Sequence, residues 1–576
     1  MRHLLLTACL LLIFLSSFSQ GREYAFDVNQ RLGRGINIGN TFEAPTETSW
    51  NNPWNADYCK MIADLGFTHI RVPVRWEPSD RSSATAPYTI KAAFLERIKS
   101  VVDEALKNNL HVIINMHHHE VLGKNPTAQM PRFKSQWQQI ADYFKDYPDG
   151  LLFEILNEPG DGINADIWKQ LTSVALGEIR TTNPDRIVLL APIWGVISGL
   201  SRLEIPDDPY TILTVHYYNP FSFTHQGTSW TSQANVKDVK WLDTEADRAT
   251  IRQELEYIKH FSKIHNIPVH IGEFGSYSTA DIDSRERWTT CVTRLYEEFG
   301  FSWAYWEFSS EFGIYNPKTK KYLQPLVNAL LHNSLPDSVS MNLETIGETS
   351  YSANSQNWQF YASSSSTAKG SMRYASSKVE ATVTSKGKET NDAQLIRSKV
   401  PMEKNRYYRL SFTASADKAC AAFFTMGRNS QPWDVYTSKF YLTADTKEQE
   451  YSYLFKMKDF DDAAARLCFD LGHIEVPVTL KIGNVKIKKM EQSTVATENV
   501  IYPKSFSCNF NSEQSKLVFT NERNDCLGIT VYSVNGAVLL KKTLQPGVSE
   551  ISAPAWSQGI YIATTENNET IKIMKQ

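Results

Sequence analysis

Cysteine is scarce in this chain: seven in 576 residues, one of which, Cys9, sits inside an apolar run at the N-terminus. The six that remain are too few to staple a chain of this size, so disulfides are not its framework. Cys420 with Cys468, and Cys508 with Cys526, fall in shared modules and are either pairs or buried thiols. Charge of one sign is also missing. Sixty basic against 63 acidic residues leave a net charge of −3, which excludes the basic field of a nucleic-acid binder and the acidic block of a solvating tail. Beyond residues 4–15 no stretch is apolar enough to cross a bilayer, and that run is only twelve residues long. Preceded by Arg2 and His3 and followed by Ser16-Ser17-Phe18-Ser19, it has the layout of a secretory signal, with cleavage expected after Ser19. An exported, soluble protein is expected. No HExxH spacing occurs, and His117-His118-His119 alternate in direction along a strand and so cannot chelate one ion; no metal or cofactor is expected. Low-complexity segments and long internal repeats are absent as well.

What the chain does have is aromatic residues, 14 Trp and 26 Tyr among them, and two short strings of one design. Leu152-Phe153-Glu154-Ile155-Leu156-Asn157-Glu158-Pro159 and Pro268-Val269-His270-Ile271-Gly272-Glu273-Phe274-Gly275 are apolar runs that end in a carboxylate and break at Pro or Gly. They read as buried parallel strands, each delivering a Glu beyond its carboxyl end. Eight such strands are expected, at 33–39, 69–73, 111–117, 151–158, 186–192, 210–218, 268–274 and 302–308. Between them lie amphipathic helical patterns at 58–65, 92–108, 133–145, 167–181, 249–265 and 284–299. Eight strands alternating with helices over about 300 residues suit a (β/α)8 TIM barrel, whose reactive groups belong at the carboxyl ends of strands.

A single Glu at a strand end is more often a surface or capping residue. Two of them, with suitable partners on other strands, are the minimum for splitting a glycosidic bond: one acid to protonate the leaving oxygen, one carboxylate to attack. Glu158, flanked by Asn157 and Pro159, is assigned as acid/base, and Glu273 as nucleophile. Arg71, a charge inside a strand, is costly there unless it meets a carboxylate, and pairing with Glu273 would hold the nucleophile ionised. His216 and Tyr218 stand two apart on one strand face, where Tyr218 is expected to bond the nucleophile and His216 to orient the acid. Asn157 is expected to donate to a sugar hydroxyl, and Trp306 to floor a sugar subsite.

Taken together, these residues resemble glycoside hydrolase family 5, the large retaining cellulase family of the (β/α)8 clan. The resemblance spans about residues 25–332 and runs through Gly35-Ile36-Asn37-Ile38-Gly39-Asn40, Ile70-Arg71-Val72-Pro73, His117-His118, Asn157-Glu158-Pro159, His216-Tyr217-Tyr218, Gly272-Glu273-Phe274-Gly275 and Tyr305-Trp306-Glu307-Phe308. It implies the family's arginine, histidine, Asn-Glu pair, His-x-Tyr, nucleophile and tryptophan at Arg71, His117, Asn157, Glu158, His216, Tyr218, Glu273 and Trp306. Residues 40–45 and 218–230 are similar to one group of bacterial β-1,4-endoglucanases, some of which also cleave mannan or mixed-linkage glucan. That similarity implies sugar contacts from Asn40, Glu43, His118, His225 and Trp230.

After Ser334-Leu335-Pro336-Asp337 the pattern changes to short alternating runs at 407–414, 421–426, 451–457, 466–471 and 478–487, which read as an all-β sandwich. Residues 406–416 and 480–487 resemble strands of family 4/9 carbohydrate-binding jelly rolls, implying Trp358, Trp433 and Tyr436 as sugar platforms. A polar linker at 491–499 leads to a smaller β-module with strands near 516–520, 528–534, 537–543 and 559–564. It resembles the C-terminal sorting domains of the Bacteroidetes type IX secretion system through Val531-Tyr532-Ser533-Val534-Asn535-Gly536, Gly559-Ile560-Tyr561 and the closing residues 571–576. The expected organisation is a signal at 1–19, a catalytic barrel at 22–335, a β-sandwich jelly roll at 340–490 and an all-β sorting module at 500–576. The expected protein is a monomeric, secreted, retaining endo-β-1,4-glucanase. Its partners would be a β-linked polysaccharide and the outer-membrane secretion machinery, not nucleic acid. Mannan, xyloglucan or mixed-linkage glucan are alternative substrates, and a non-catalytic glycan binder is the alternative class.

Overall fold

The computed structural model describes residues 19–492, together with 506–511, 516–521, 526–533, 538–552, 556, 559–565 and 570–575. The expected signal at 1–19 (save Ser19), most of the linker, and Val534-Asn535-Gly536 lie outside the described residues. No helix among those described is long and apolar enough to cross a membrane.

Eight parallel strands close into a barrel: β1 Arg34–Asn37, β2 His69–Val72, β3 His111–Asn115, β4 Leu151–Glu154, β5 Val188–Leu190, β6 Thr211–His216, β7 Val269–Glu273 and β8 Ser302–Tyr305. Each falls inside its expected range. Residues such as Ile70, Ile114, Phe153, Leu213 and Ile271 are buried, as the near-continuous apolar runs of a strand covered on both faces require. Closure is made by β1 against β8, with Gly35 beside Ala304 and Ile36 beside Tyr305.

The barrel strands are shorter than the sequence suggested, and this matters for the site. The strand expected to run to Glu158 ends at Glu154, so Glu158 is presented by the following loop, whereas Glu273 does end β7. The six expected helices are present, among them Asp57–Leu65, Ala92–Lys107, Pro126–Tyr143, Ala165–Thr182, Glu245–His265 and Ile282–Phe299. A capping box from Thr244 and Asp247 starts Glu245–His265, and the left-handed Asn266 stops it. Other helices were not anticipated: Glu120–Lys124, Phe221–Thr224, Gln324–Leu331 and a helix near the N-terminus. Residues 19–32 are helical, and Ala25, Val28 and Leu32 pack on Ile113, Leu152, Leu189 and Ile212 to floor the barrel opposite the strand carboxyl ends.

Residues 343–492 form a two-layer β-sandwich. One layer contains Lys369–Ala375, Lys378–Ser385, Val478–Gln492, Tyr407–Ala416 and Gln449–Lys456, with Leu343–Tyr351 also on Val478–Gln492; the other contains Trp358–Ala362, Ala393–Met402, Asp462–Asp470, Cys420–Gly427 and Phe440–Ala444. Leu395, Phe412, Phe424, Phe469 and Leu480 lie in its core. Trp358 and Tyr436, expected as sugar platforms, are buried in that core at 4% exposure, because their rings are needed to fill it; only Trp433 stands out, under the Arg466 guanidinium at 4.6 Å. The sandwich packs on the barrel through Tyr257, whose ring lies 5.4 Å from Phe423 and 4.7 Å from Tyr441. Cys420 and Cys468 are separate buried thiols and Cys526 donates to Gln545 Oε1, so neither pairing is formed.

The C-terminal module has a three-stranded sheet of Phe506–Asn511, Lys516–Asn521 and Gly547–Ser552. A four-stranded sheet of Val538–Leu544, Leu527–Ser533, Gly559–Thr565 and Thr570–Lys575 accompanies it, and Phe519, Val531, Ala563 and Ile573 are buried in the module's core.

Candidate active site

Arg71 organises the carboxyl end of the barrel. It projects inward from β2 with no solvent exposure and spends every arm of its guanidinium on a side-chain oxygen. Nε and Nη2 donate to Glu154 at 2.6 and 2.7 Å, Nη1 to Asn37 at 2.8 Å and Glu273 at 2.8 Å, and Nη2 also to Asn157 at 2.6 Å. Four side chains, from β1, β4 and its loop, and β7, are therefore tied to one cation on β2. A buried charge is tolerable only when compensated this completely.

Sequence reasoning expected Arg71 on Glu273 and found it there, but it missed Glu154 and Asn37. Glu154 was visible as a charge inside the apolar run Leu152-Phe153-Glu154-Ile155. Asn37 carries no signal of its own. Its Nδ2 donates to the carbonyls of Gly272, Ala304 and Tyr305, holding β1, β7 and β8 in register beneath the site.

The two Glu residues meet over this base. His216 Nδ1 lies 2.8 Å from Glu158 Oε1 and 3.7 Å from Glu273 Oε2, and Tyr218 OH donates to Glu273 Oε2 at 3.1 Å. One oxygen of Glu158, one of Glu273 and one nitrogen of His216 all lie within 4.8 Å of one another. His216 and Tyr218 share the inward face of their segment, as their spacing required. Burial works against the His216 cation, but Glu273 and the bonded Glu158 outweigh it, and its pKa is raised above 6.5. The enclosing cleft works to raise Glu158, but the His216 hydrogen bond and the His216, His118 and Arg71 charges hold it below the ordinary carboxyl range. Burial pushes Glu273 up, and the Glu158 charge adds to this against the pull of His216 and Arg71.

The cluster thus retains a proton that is one 2.8 Å hydrogen bond from Glu158. Transfer from His216 Nδ1 to Glu158 Oε1 leaves a neutral imidazole, a protonated acid and an ionised Glu273 without changing the cluster's charge. Chemically this is a general acid beside a nucleophilic carboxylate. The same three groups are spaced to ligate a cation, although a metal there would compete with Arg71 and the existing hydrogen bonds.

Around the carboxyls the walls are aromatic. Trp306, just past β8, stacks on His117 with ring centroids 5.7 Å apart and planes 15° apart, and His117 Nε2 is 4.0 Å from Glu273 Oε1. Burial and the His118, Arg71 and His216 charges hold the His117 pKa well below its usual value, so the ring is neutral. His118 meets His117 edge-on at 4.7 Å and faces Trp50, while His119 diverges to Glu77 and Gln136. Asn40 adopts a left-handed conformation and donates to Ser310 Oγ at 2.9 Å. Trp230 is 60% exposed, standing edge-on to Tyr277.

Two residues expected to touch sugar also serve the loops around them. Glu43 is 1% exposed, and its oxygens accept the amides of Asn40 and Thr41, so it shapes the turn that presents Asn40. His225 is 9% exposed, stacked on Phe221 and set edge-on to Tyr218 at 4.8 Å, so it braces Tyr218. The Glu43 carboxylate is consumed by its own loop, and His225 Nδ1 is shared with Thr224 Oγ1 at 3.0 Å.

The fifth strand, which offered no motif, supplies Trp194. It has left-handed φ/ψ of 58° and 14°, is 49% exposed, and bonds its amide to the Pro159 carbonyl at 2.8 Å. The indole lies directly on Gly160, where a Cβ would come within 2.6 Å of the ring, so the residue two beyond Glu158 must be glycine. The following Gly195, at φ 65°, lets the chain pass His216 and Glu158 closely.

Comparisons with known proteins agree with this geometry. A family model described as cellulase, glycosyl hydrolase family 5, matches residues 35–312, and one described as a carbohydrate binding domain matches 344–477. Endoglucanase H of Acetivibrio thermocellus is 36% identical over 317 residues, which cover 53% of this chain but only 33% of that protein; the chain thus spans about a third of that relative's length. The solved structure of a hyperthermophilic endo-β-1,4-glucanase in complex with substrate is 45% identical with a TM-score of 0.52, covering 54% of this chain and 99% of that one. Thermotoga maritima Cel5A in complex with mannotriose is 41% identical with a TM-score of 0.52, covering 53% of this chain and 99% of that chain. The chain belongs to the cellulase family, glycosyl hydrolase family 5.

Proposed function

We propose that the chain is a secreted, retaining endo-β-1,4-glucanase acting by double displacement. Glu273 attacks the anomeric carbon while Glu158 protonates the departing oxygen; Glu158, now a base, then activates the water that releases the sugar. The observation that carries this reading is the approach of Glu158 and Glu273 oxygens to within 4.8 Å. Retaining enzymes hold their carboxyls about 5–5.5 Å apart, and inverting ones about 6.5–9.5 Å. Arg71 and Tyr218 supply hydrogen bonds to the attacking carboxylate, and Trp306, Trp194 and Trp230 offer faces for sugar rings. The test is proton NMR of the first product formed from a cello-oligosaccharide. The β-anomer is expected first, and initial α-anomer would overturn the retaining mechanism.

β-Mannan is the second reading, favoured by the likeness to a Cel5A whose structure holds mannotriose. Reducing-end release on cellulose, mixed-linkage glucan, xyloglucan and mannan separates these substrates, and no release on any would leave a glycan binder. For the rest of the chain, residues 1–19 act as the export signal, 22–335 as the catalytic domain, 340–490 as the glycan-binding domain and 500–576 as the sorting domain, in a monomer. Mass spectrometry of the protein from the medium should give an N-terminus at Gln20. Deletion of 500–576 should leave the protein in the periplasm.

A further inference from the structure

Behind the catalytic face of β6 sits a carboxylate the chemistry does not touch. Glu254, on the helix Glu245–His265, is 7% exposed and faces the outer surface of the barrel. One oxygen accepts the Tyr217 hydroxyl and the other accepts Asn219 Nδ2 at 2.8 Å. Among the described residues, no Lys, Arg or His lies within ion-pairing distance of it. A carboxyl buried against two neutral donors is costly to desolvate and contributes little net stability.

Its geometry suggests a use. Along this segment alternate residues face opposite ways. His216 and Tyr218 point inward to the carboxyls, and Tyr217 and Asn219 point outward to Glu254. Glu254 therefore holds the two residues that flank Tyr218. Nearby bonds complete the brace: Thr224 Oγ1 donates to the Tyr218 carbonyl at 2.6 Å and Trp288 Nε1 to the Asn219 carbonyl at 3.0 Å. β6 ends at His216, and the last sheet bond runs from Tyr217 N–H to the Glu273 carbonyl at 2.8 Å, so from Tyr218 onward the segment is held by side chains. Among these, Glu254 grips the residues on either side of Tyr218.

We propose that Glu254 is a positioning residue for the glycosidase site: by gripping Tyr217 and Asn219 from behind, it aims Tyr218 at the Glu273 nucleophile. This rests on the assignment of Glu273 as nucleophile. The experiment is a double-mutant cycle of Glu254→Leu with Tyr218→Phe, read as kcat and KM on a cello-oligosaccharide well below each variant's melting temperature. A misaim of about 1 Å is enough to cost roughly 10- to 100-fold in kcat, and KM should move by less than about threefold. In the Tyr218→Phe background, where no hydroxyl is left to aim, Glu254→Leu should cost less than about threefold more. Glu254→Gln keeps an acceptor for Asn219 and a partner for Tyr217, and should recover most of the turnover that Glu254→Leu loses. If Glu254→Leu fails to fold, Asn219→Ala and Tyr217→Phe each remove one arm and replace it in the cycle.

Equal losses in both backgrounds, or an unchanged kcat in a folded clamp variant, would overturn the inference. Labelling of the wild-type protein with a 2-fluoro-cellobioside inactivator separates the two levels. Label on Glu273 with additive losses sinks the clamp alone; no label on Glu273 sinks the functional reading and the clamp with it.

Discussion

Arg71 grips Glu154 through two parallel hydrogen bonds of 2.6 and 2.7 Å, with neither side chain exposed to solvent. This bidentate pair offsets the guanidinium charge, so the bond to Glu273 orients that carboxylate without absorbing all of its charge. Such a pair is strong in place and expensive to break from one side.

Removing Glu154 should therefore injure stability and catalysis together. Glu154→Ala is expected to cost about 3–5 kcal/mol in chemical denaturation, because it strands a buried cation. Arg71→Lys offers a point charge where a planar fork is needed, and kcat is expected to fall at least about 100-fold. Wild-type stability in Glu154→Ala would contradict the compensation argument.

The two carboxyls should separate by leaving group. Glu158→Gln and Glu273→Gln are each expected to lower turnover of cellulose-derived substrates by roughly a thousandfold or more, with near-UV circular dichroism unchanged. On an aryl cellobioside whose phenol leaves without a proton, Glu158→Gln should still release a burst of phenol and Glu273→Gln should not. A burst from Glu273→Gln would reverse the assignment.

The site's proton sets the alkaline limb of activity. Burial opposes the His216 cation, but Glu273 and Glu158 raise its pKa, so the cluster keeps its proton to higher pH than a free imidazole would. The acid Glu158 draws on that proton, so kcat/KM should fall only above pH 6.5. A pH profile whose alkaline limb lies below 6.5 would show that the proton is held elsewhere.

Trp194 should matter for long substrates. It is half exposed and lies on Gly160, two residues past Glu158. Trp194→Ala is expected to reduce kcat/KM on cellohexaose by about tenfold, in line with loss of one aromatic contact, with little change on an aryl glycoside. An equal effect on both substrates would make the residue structural.

Two buried carboxyls, Glu43 and Glu307, should make stability fall with rising pH. Burial pushes Glu307 up to about 8 and Glu43 up to about 7, against backbone amides that favour their ionised forms. A folded-state pKa above the unfolded value near 4.5 means that this stabilisation is complete below 4.5 and is lost as pH rises through about 7 to 8. Between pH 5 and 9 the wild type should lose on the order of 4 kcal/mol more than Glu307→Gln. Parallel stability curves would remove Glu307 as the source.

The eight strands, their order and the pairing of Glu158 with Glu273 were legible because a strand covered on both faces is apolar throughout, so a charge at its end stands out. Arg71 was legible for the same reason. Glu43 misled, because a polar residue in a loop reads the same whether it faces a sugar or its own backbone. Trp358 and Tyr436 misled likewise, since an aromatic ring serves a core and a sugar equally well.

By itself, then, the sequence determined the barrel and singled out Glu158 and Glu273, since periodicity and buried charge are local properties. The tertiary structure alone decided three things: that Glu158 hangs four residues past its strand, that Glu154 shares Arg71, and that Trp194 lies on Gly160 beside the acid. Each depends on distances between segments far apart in the chain, which closure of the barrel sets and local patterning does not encode.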